Sequence, residues 1–207
     1  MMKLFSFLKN LTDSLKLIRF SLNKNKKNKY SSVNLYFQDE SRFGLMTHVG
    51  RCITAVGVKP IVKYKHAFKN TYLYGSFSPI DGDMYVCEIE GTTSEIFYKY
   101  LSALSEHRPN ELKILIIDNA GFHSLKKYNI PENIRLIRIP PYSPELNPSE
   151  KIWAYIKQYY KNKVFDDIDK VKSWLSNFII NNLNKEVVKS ITHMELYNSL
   201  YKVHFEI

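Results

Sequence analysis

The chain has 207 residues, of which 44% are hydrophobic, enough for one well-buried domain with an appendage but not for two full-sized domains. No apolar run approaches the roughly 20 residues that cross a bilayer, and the opening residues lack a secretory signal. These features exclude a membrane partner and favour a cytoplasmic protein. A formal net charge of +10 indicates a polyanionic partner such as nucleic acid.

The first 32 residues carry most of this charge, with eight lysines or arginines against Asp13 alone, a net +7. Their apolar residues recur at steps of three and four, which predicts one amphipathic helix, and Asn23 to Lys29 has the composition of a linker. We therefore predict a basic N-terminal arm that contacts DNA through Lys24, Lys26 and Lys27. The alternative is a solvated, poorly ordered leader.

Short strands are predicted next. Val33 to Gln38 is a β-branched and aromatic run that ends at Asp39, and a further strand is predicted near Cys52 to Val58. Thr71 to Ser78 and Met84 to Ile89 bracket an Asp-Gly-Asp turn, which predicts a hairpin. The sheet should therefore open with antiparallel strands.

The second half alternates strands and helices. A helix capped by Thr92 runs through His107, and a continuous apolar strand from Lys113 to Ile117 follows and ends at Asp118. A strand over Asn133 to Ile139 and a helix from Asn147 to about Lys161 come next, and the tail from residue 167 is predicted to form two helices. This order predicts an α/β fold with a mixed sheet, an antiparallel opening and parallel additions.

Two aspartates stand where such sheets place their ligands. Asp39 and Asp118 each follow a strand, and neighbouring parallel strands would bring their carboxylates to roughly 5 Å. Divalent cations bridging them would remove their repulsion, and oxygen ligands favour magnesium or manganese. Glu150, on the first turn of the next helix, would supply a third carboxylate. Alternatively, the aspartates form turns or caps, and Glu150 closes a capping box with Asn147.

Three sequence blocks resemble the catalytic blocks of bacterial mariner-like DDE transposases: FQDES at 37–41, LIIDNAGFH at 115–123 and PPYSPELNPSE at 140–150. The spacing of 32 positions from Asp118 to Glu150 is also similar to that family. Two positions differ from the usual pattern, Ile53 where the family has tryptophan and Ser149 where an aliphatic residue is usual.

The resemblance implies a ribonuclease-H-like fold, a five-stranded mixed sheet with flanking helices, in a catalytic domain at 33–165 between the arm at 1–32 and a helical extension at 166–207. It implies that Asp39, Asp118 and Glu150 are the catalytic residues and hold two Mg²⁺ or Mn²⁺ ions. The expected activity is DNA cleavage and strand transfer on transposon ends and target duplex, by a homodimer associated with the bacterial nucleoid.

Three neighbouring residues are candidates for supporting roles. Glu40 would point to the opposite face from Asp39 if the strand continues, which suits a structural or supporting role. Asn119 would orient Asp118 through a hydrogen bond. His123 would either contact DNA or water near the metals, or cap the following turn.

Four lysines without an acid between them are interleaved with Tyr64, His66 and Phe68: Lys59, Lys63, Lys65 and Lys69. We predict a DNA-tracking edge there, and the alternative is an exposed strand kept soluble by lysines.

The first 32 residues are too few for the helix-turn-helix region that reads transposon ends. We therefore expect an upstream-frame helix-turn-helix protein as partner. The alternative functions are a non-catalytic fragment that binds DNA or inhibits an intact transposase by mixed assembly, and another nuclease on the same fold.

Overall fold

A five-stranded sheet organises the protein in a computed structural model that describes residues 2–24, 29–51 and 53–205. The spatial order is β3-β2-β1-β4-β5. β1 pairs antiparallel with β2, as β2 does with β3, whereas β1 with β4 and β4 with β5 are parallel. The predicted mixed sheet is confirmed. Its strands are β1 (Ser32–Gly44), β2 (Asn70–Phe77), β3 (Met84–Ile89), β4 (Glu111–Ile117) and β5 (Ile134–Arg138).

Six helices accompany the sheet in the described part of the chain: α1 (Met2–Lys24), α2 (Ser94–Glu106), α3 (Ser149–Tyr160), α4 (Ile168–Asn182), α5 (Lys185–Thr192) and α6 (Glu195–Phe205). The tail therefore has three helices, not the two predicted, because the backbone leaves the helical conformation at His193. Thr93, not Thr92, caps α2, its hydroxyl accepting from the Ile96 amide. None of the helices in the described ranges combines the length and apolarity needed to cross a membrane.

The alternation of side chains along β1 assigns helices to the two faces of the sheet. Tyr36 belongs to a buried cluster with α2, whereas Leu35 and Phe37 pack against α1 and α6. Farther along this second face, α3, α4 and α5 pack over Phe43 of β1 and Phe77 of β2. One helix thus covers one face, and the remaining five cover the other.

α1 confirms the helix predicted within the basic arm and shows how it is anchored. Its buried residues Phe7, Leu11 and Leu15 pack in the cluster that includes Phe37 and Tyr197. Burying each such side chain contributes about 1.5–3 kcal/mol, which argues against a poorly ordered leader for residues 2–24. Lys26 and Lys27 lie outside the described residues, as does the side chain of Lys24.

β1 is longer than predicted and runs through Asp39 to Gly44. Its pairing with β4 ends at Phe37 and Ile116, whereas its pairing with β2 continues to Gly44 and Asn70. The prediction that Asp39 follows the strand is wrong, because β2 supplies hydrogen-bond partners beyond it. Asp39 instead lies in the part of β1 that pairs with β2 but no longer with β4.

The strand predicted near Cys52 to Val58 is absent from the described residues, and Cys52 itself lies outside them. At the base of this segment the Thr47 amide donates to the Lys65 carbonyl, and the Lys65 amide donates to the Thr47 hydroxyl. The described residues of 48–64, the exposed arm, extend beyond this pair. Ile53 and Val56 are fully exposed there. Their β-branched side chains favour extended backbone, but no neighbouring strand pairs with the described part of the arm.

Candidate active site

A cleft of about 390 Å³ opens beside the free edge of β1, between the end of β4 and the start of α3. Asp39, Asp118 and Glu150 all line it, although they come from three separate segments of the chain. Asn119 and Asn147 also line it, with the Pro140–Pro144 segment forming one wall. Tyr142 in that segment is 98% exposed and has a φ of 60°, a conformation that is strained for a residue with a side chain.

Asp118 directly follows β4, as predicted, and two groups fix its carboxylate. Its Oδ1 accepts from the Ala120 amide at 2.8 Å and lies 2.8 Å from Nδ1 of His123. The hydrogen bond with His123, assisted by the Ala120 amide, holds the pKa of Asp118 below its ordinary value. Asp118 therefore presents a charged, oriented carboxylate to the cleft.

Asp39 projects from β1 toward α3, where the Trp153 indole Nε1 donates to its Oδ2 at 3.0 Å. Burial raises the pKa of Asp39 well above its ordinary value, and the nearby negative charges of Glu150 and Glu40 raise it further. This carboxyl group therefore lies in a region of excess negative potential. A cation in the cleft would stabilise its ionised form.

Glu150 is positioned by hydrogen bonds that join the start of α3 to β1. The Asn147 amide donates to the Gln38 carbonyl at 3.0 Å while its oxygen accepts from the Ser149 amide at 3.1 Å. The Ser149 hydroxyl donates to the Phe37 carbonyl at 2.7 Å, which accounts for a polar residue where the resembling family has an aliphatic one. Glu150, on this first turn, is exposed and faces the cleft.

His123 is buried and connects two carboxylates, so it is not exposed for direct contact with DNA. Its Nε2 lies 3.1 Å from Glu40 Oε1, while its Nδ1 contacts Asp118. Burial acts to lower the pKa of His123, but the hydrogen bonds to Asp118 and Glu40 outweigh it and raise the pKa to about 9. Glu40 points to the face opposite Asp39 because β1 continues through both residues. It supports Asp118 through His123.

Asn119 does not make the hydrogen bond expected with the Asp118 side chain. Its amide nitrogen donates to the Ile139 carbonyl and so ties the loop after β4 to the end of β5. The difference arises because Asn119 follows the end of β4, beside the backbone of the neighbouring strand. The Ala120 amide and His123 occupy the position beside Asp118.

The sequence analysis missed two residues that hold the site together. Trp153 has the helical spacing of a core residue and is buried, but its indole N–H also orients Asp39. Arg138 donates to the carbonyls of Asp118 and His123, at 3.2 and 2.7 Å. Arg138 could have been identified from its position at the end of the predicted strand beside Asp118. No local sequence pattern indicates that Trp153 donates to Asp39.

The lysines of the predicted DNA-tracking edge do not share one environment. Lys59 and Lys63 are open to solvent on the exposed arm at 48–64. Lys65 Nζ, however, donates to the backbone carbonyls of Phe165 and Asp166, at 2.9 and 2.5 Å. The ammonium group of Lys65 therefore holds the base of the arm against the segment that precedes α4.

The donor set of the cleft suits a hard divalent cation. Within residues 2–24, 29–51 and 53–205, no three His, Cys, Asp or Glu side chains stand close enough to form a ready-made metal cluster. The three cleft acids nevertheless offer only carboxylate oxygens, the ligands that magnesium and manganese prefer. Burial and the negative charges of Glu150 and Glu40 disfavour the ionised form of Asp39, and a bound cation would favour it.

Comparisons with known proteins agree with this architecture. The family profile described as DDE superfamily endonuclease matches residues 34–172. An uncharacterised protein, y4pE/y4sA, of Sinorhizobium fredii is 30% identical over 102 residues, 48% of this chain and 76% of that protein.

Solved structures of the Mos1 mariner transposase share the fold. The Mos1 strand transfer complex aligns with a TM-score of 0.59 and 17% identity, over 92% of this chain and 58% of that one. A pre-cleavage Mos1 transpososome aligns with a TM-score of 0.60 and 15% identity, over 95% and 62%. The predicted ribonuclease-H-like fold is confirmed, and the chain spans about three fifths of the length of these Mos1 chains.

Proposed function

Because this chain belongs to the family of DDE superfamily endonucleases, we propose that it is the catalytic part of a DNA transposase that cleaves and joins DNA with Asp39, Asp118 and Glu150. The observation that carries the proposal is the convergence of these three carboxylates on one cleft. Burial raises the pKa of Asp39 and its acidic neighbours raise it further, so a bound cation would favour its ionised form.

Asp39, Asp118 and Glu150 would hold two Mg²⁺ or Mn²⁺ ions, which when bound activate a water or a DNA 3′-hydroxyl and stabilise the leaving oxygen. A paired-end complex of Mos1 with magnesium and another with manganese support this choice of metals. The protein's own contribution is to orient the carboxylates. Trp153 holds Asp39, and His123 with the Ala120 amide holds Asp118.

The proposed substrate is duplex DNA, and the proposed assembly is a homodimer. The structural relatives include paired-end complexes of Mos1 with transposon ends. The exposed arm offers a surface for a second copy of this chain, because Ile53, Val56 and Ile61 are fully exposed on it. Sequence-specific recognition of ends is proposed to come from a separate helix-turn-helix protein, and the site of action would be the bacterial nucleoid.

A nicking assay tests the proposal. The protein should nick duplex DNA in the presence of Mg²⁺ or Mn²⁺, with little preference for transposon ends over random sequence. Asp118→Asn should abolish nicking, because an amide lacks the charge that holds two divalent ions, while DNA binding is retained or improved as a repulsive charge is removed.

The assay also separates the alternatives. Tight DNA binding without cleavage on any substrate would favour the inhibitory, non-catalytic fragment. Faster cleavage of RNA–DNA hybrids than of duplex DNA would favour another nuclease on this fold. Strong preference for transposon ends would place end recognition within this chain and remove the need for a separate protein.

A further inference from the structure

A second cavity, of about 460 Å³, lies at the C-terminal end of β1, beyond the residues of β1 that pair with β4. Three basic side chains line it, Arg42, Lys69 and Lys157, together with His48. None of the described residues that line this cavity is acidic. Its electrostatic character is thus opposite to that of the carboxylate cleft.

The cationic cavity and the carboxylate cleft share the elements β1 and α3. Lys157 follows Glu150 by seven residues, two helical turns, so both lie on one face of α3 about 10 Å apart along its axis. Arg42 follows Asp39 by three residues, about 10 Å along the strand, and, like Glu40, points to the face of β1 opposite Asp39. Hydrogen bonds from Trp153 to Asp39 and from Tyr160 to the Gly44 carbonyl hold α3 alongside β1 over this distance.

Gly44 allows the wall of the cavity to close. The Leu45 amide donates to the Lys69 carbonyl at 3.0 Å, which brings the two chain segments together. A Cβ atom at position 44 would stand only 2.9 Å from that carbonyl oxygen. The absence of a side chain at Gly44 therefore lets Lys69 lie beside β1, across from Lys157.

The cations of this cavity are available for a ligand. Arg42 and Lys69 form no ion pair with any acid in the described ranges, and Lys157 Nζ stands 5.8 Å from the centre of the Phe43 ring. By contrast, Lys99 is paired with Glu95, and Lys170 with Asp166. Three unneutralised cations in a concave surface favour an anionic ligand.

We propose that Arg42, Lys69 and Lys157 bind a backbone phosphate of the DNA strand close to the bond that is cut. This inference rests on the proposed function, which supplies the DNA. The separation of about 10 Å along β1 and α3 is short enough for one DNA strand to contact both the carboxylate cleft and this cavity. The arginine contacts the phosphate through its planar fork of donors, and the lysines contribute point charges.

The test measures affinity for a random-sequence fluorescent duplex over a salt series, in EDTA so that binding is independent of cleavage. The triple variant Arg42→Gln, Lys69→Gln, Lys157→Gln is compared with Lys185→Gln, Lys189→Gln, Lys202→Gln. The control removes the same charge at the opposite end of the sheet, near Ile80 and Gly82. Far-ultraviolet circular dichroism checks that both variants are folded.

The cavity variant should lose at least roughly tenfold in affinity at 0.1 M salt, and its slope of log affinity against log salt should flatten by about 0.9, because one phosphate is no longer neutralised. The control should stay close to the wild type. Equal losses in the two variants would overturn the proposal. A wild type that does not bind DNA would instead refute the proposed function on which it rests.

Inorganic phosphate provides a second arm of the experiment. Millimolar phosphate should raise the melting temperature of the wild type and of the cavity variant equally. A rise confined to the wild type, with DNA affinity unchanged in the variant, would assign the cavity to a free phosphate and overturn its assignment to DNA.

Discussion

The two ends of the sheet each gather carboxylates, but the ends differ in whether every carboxylate has a cationic partner. Opposite the cleft, Asp81, Asp83 and Glu111 surround Arg108, whose Nη1 lies 2.7 Å from Asp81 and 3.0 Å from Glu111. His107 Nε2 contacts Asp83 at 2.7 Å. We call this the arginine-centred cluster. At the other end, the described neighbours of Asp39 are the neutral indole of Trp153 and further acids.

The pKa directions express this difference. Burial acts to raise the pKa of Asp81, but hydrogen bonds from Asn34 and Arg108 outweigh it and hold the pKa below its ordinary value. Burial likewise raises the pKa of Asp39, and there the neighbouring Glu150 adds to the effect. Asp81 thus has a cationic partner in the arginine-centred cluster, whereas the ionised form of Asp39 would be favoured by a cation bound in the cleft.

The largest expected effect is that of Asp39→Asn on DNA cleavage. This substitution should lower metal-dependent nicking by roughly 10³-fold or more, because a neutral amide binds the metal ions far more weakly. Glu111→Gln is the matched control at the opposite end of β4, and its folded fraction should retain activity. Equal loss in both variants, measured per folded molecule, would mean that the two clusters do not differ in role.

The second effect is stabilisation by the metal itself. At a Mn²⁺ concentration of 100 times its dissociation constant, the free energy of unfolding of the wild type should rise by about 2.7 kcal/mol. Asp39→Asn should lose most of this gain, and Asp81→Asn should keep it. Urea unfolding with and without Mn²⁺ measures the difference, and an undiminished gain in Asp39→Asn would place the cation elsewhere.

A third effect concerns the arginine-centred cluster. Arg108→Gln should reduce the free energy of unfolding by about 2 kcal/mol, since it leaves partly buried carboxylates without their counter-charge and Arg108 is itself partly exposed. Lys99→Gln, which removes an exposed pair with Glu95, should leave the free energy of unfolding nearly unchanged. Similar small losses in both variants would show that the cluster is not stabilising.

Arg108→Gln should also change how the free energy of unfolding depends on pH. Because the pKa of folded Asp81 is lowered, its contribution to stability is complete above the unfolded value of about 3.9 and is lost as the pH falls through the folded value. Arg108→Gln reduces the lowering of the pKa. Between pH 5 and 3 its unfolding free energy should therefore fall less steeply than that of the wild type, as measured by urea titration.

The smallest effect is expected from Tyr36→Phe. The Tyr36 hydroxyl lies 2.8 Å from Asp83 and 2.7 Å from Glu111, and its one proton is donated to one carboxylate at a time. Its removal should cost about 1.5 kcal/mol of stability and leave nicking of the folded protein unchanged. A decrease in nicking would show that the two ends of the sheet are coupled through β1.

Local sequence was sufficient where local interactions determine the structure. The apolar run at Lys113 to Ile117 predicts β4 and places Asp118 after it, because a strand buried on both faces is marked by its own residues. The helix that carries Glu150 could likewise be predicted from Asn147, Pro148 and its apolar spacing. The three carboxylates themselves were recognised from their positions and from the family-like blocks around them.

Tertiary structure decided what depends on distant partners. β1 extends past Asp39 because β2 pairs with it, whereas similar β-branched residues in the exposed arm remain outside the sheet for want of a partner. His123 became a bridge between Glu40 and Asp118, and Trp153 a donor to Asp39, through contacts across the fold. Sequence determined which residues carry charge and form strands. Packing alone determined which of those charges are neutralised and which face the cleft.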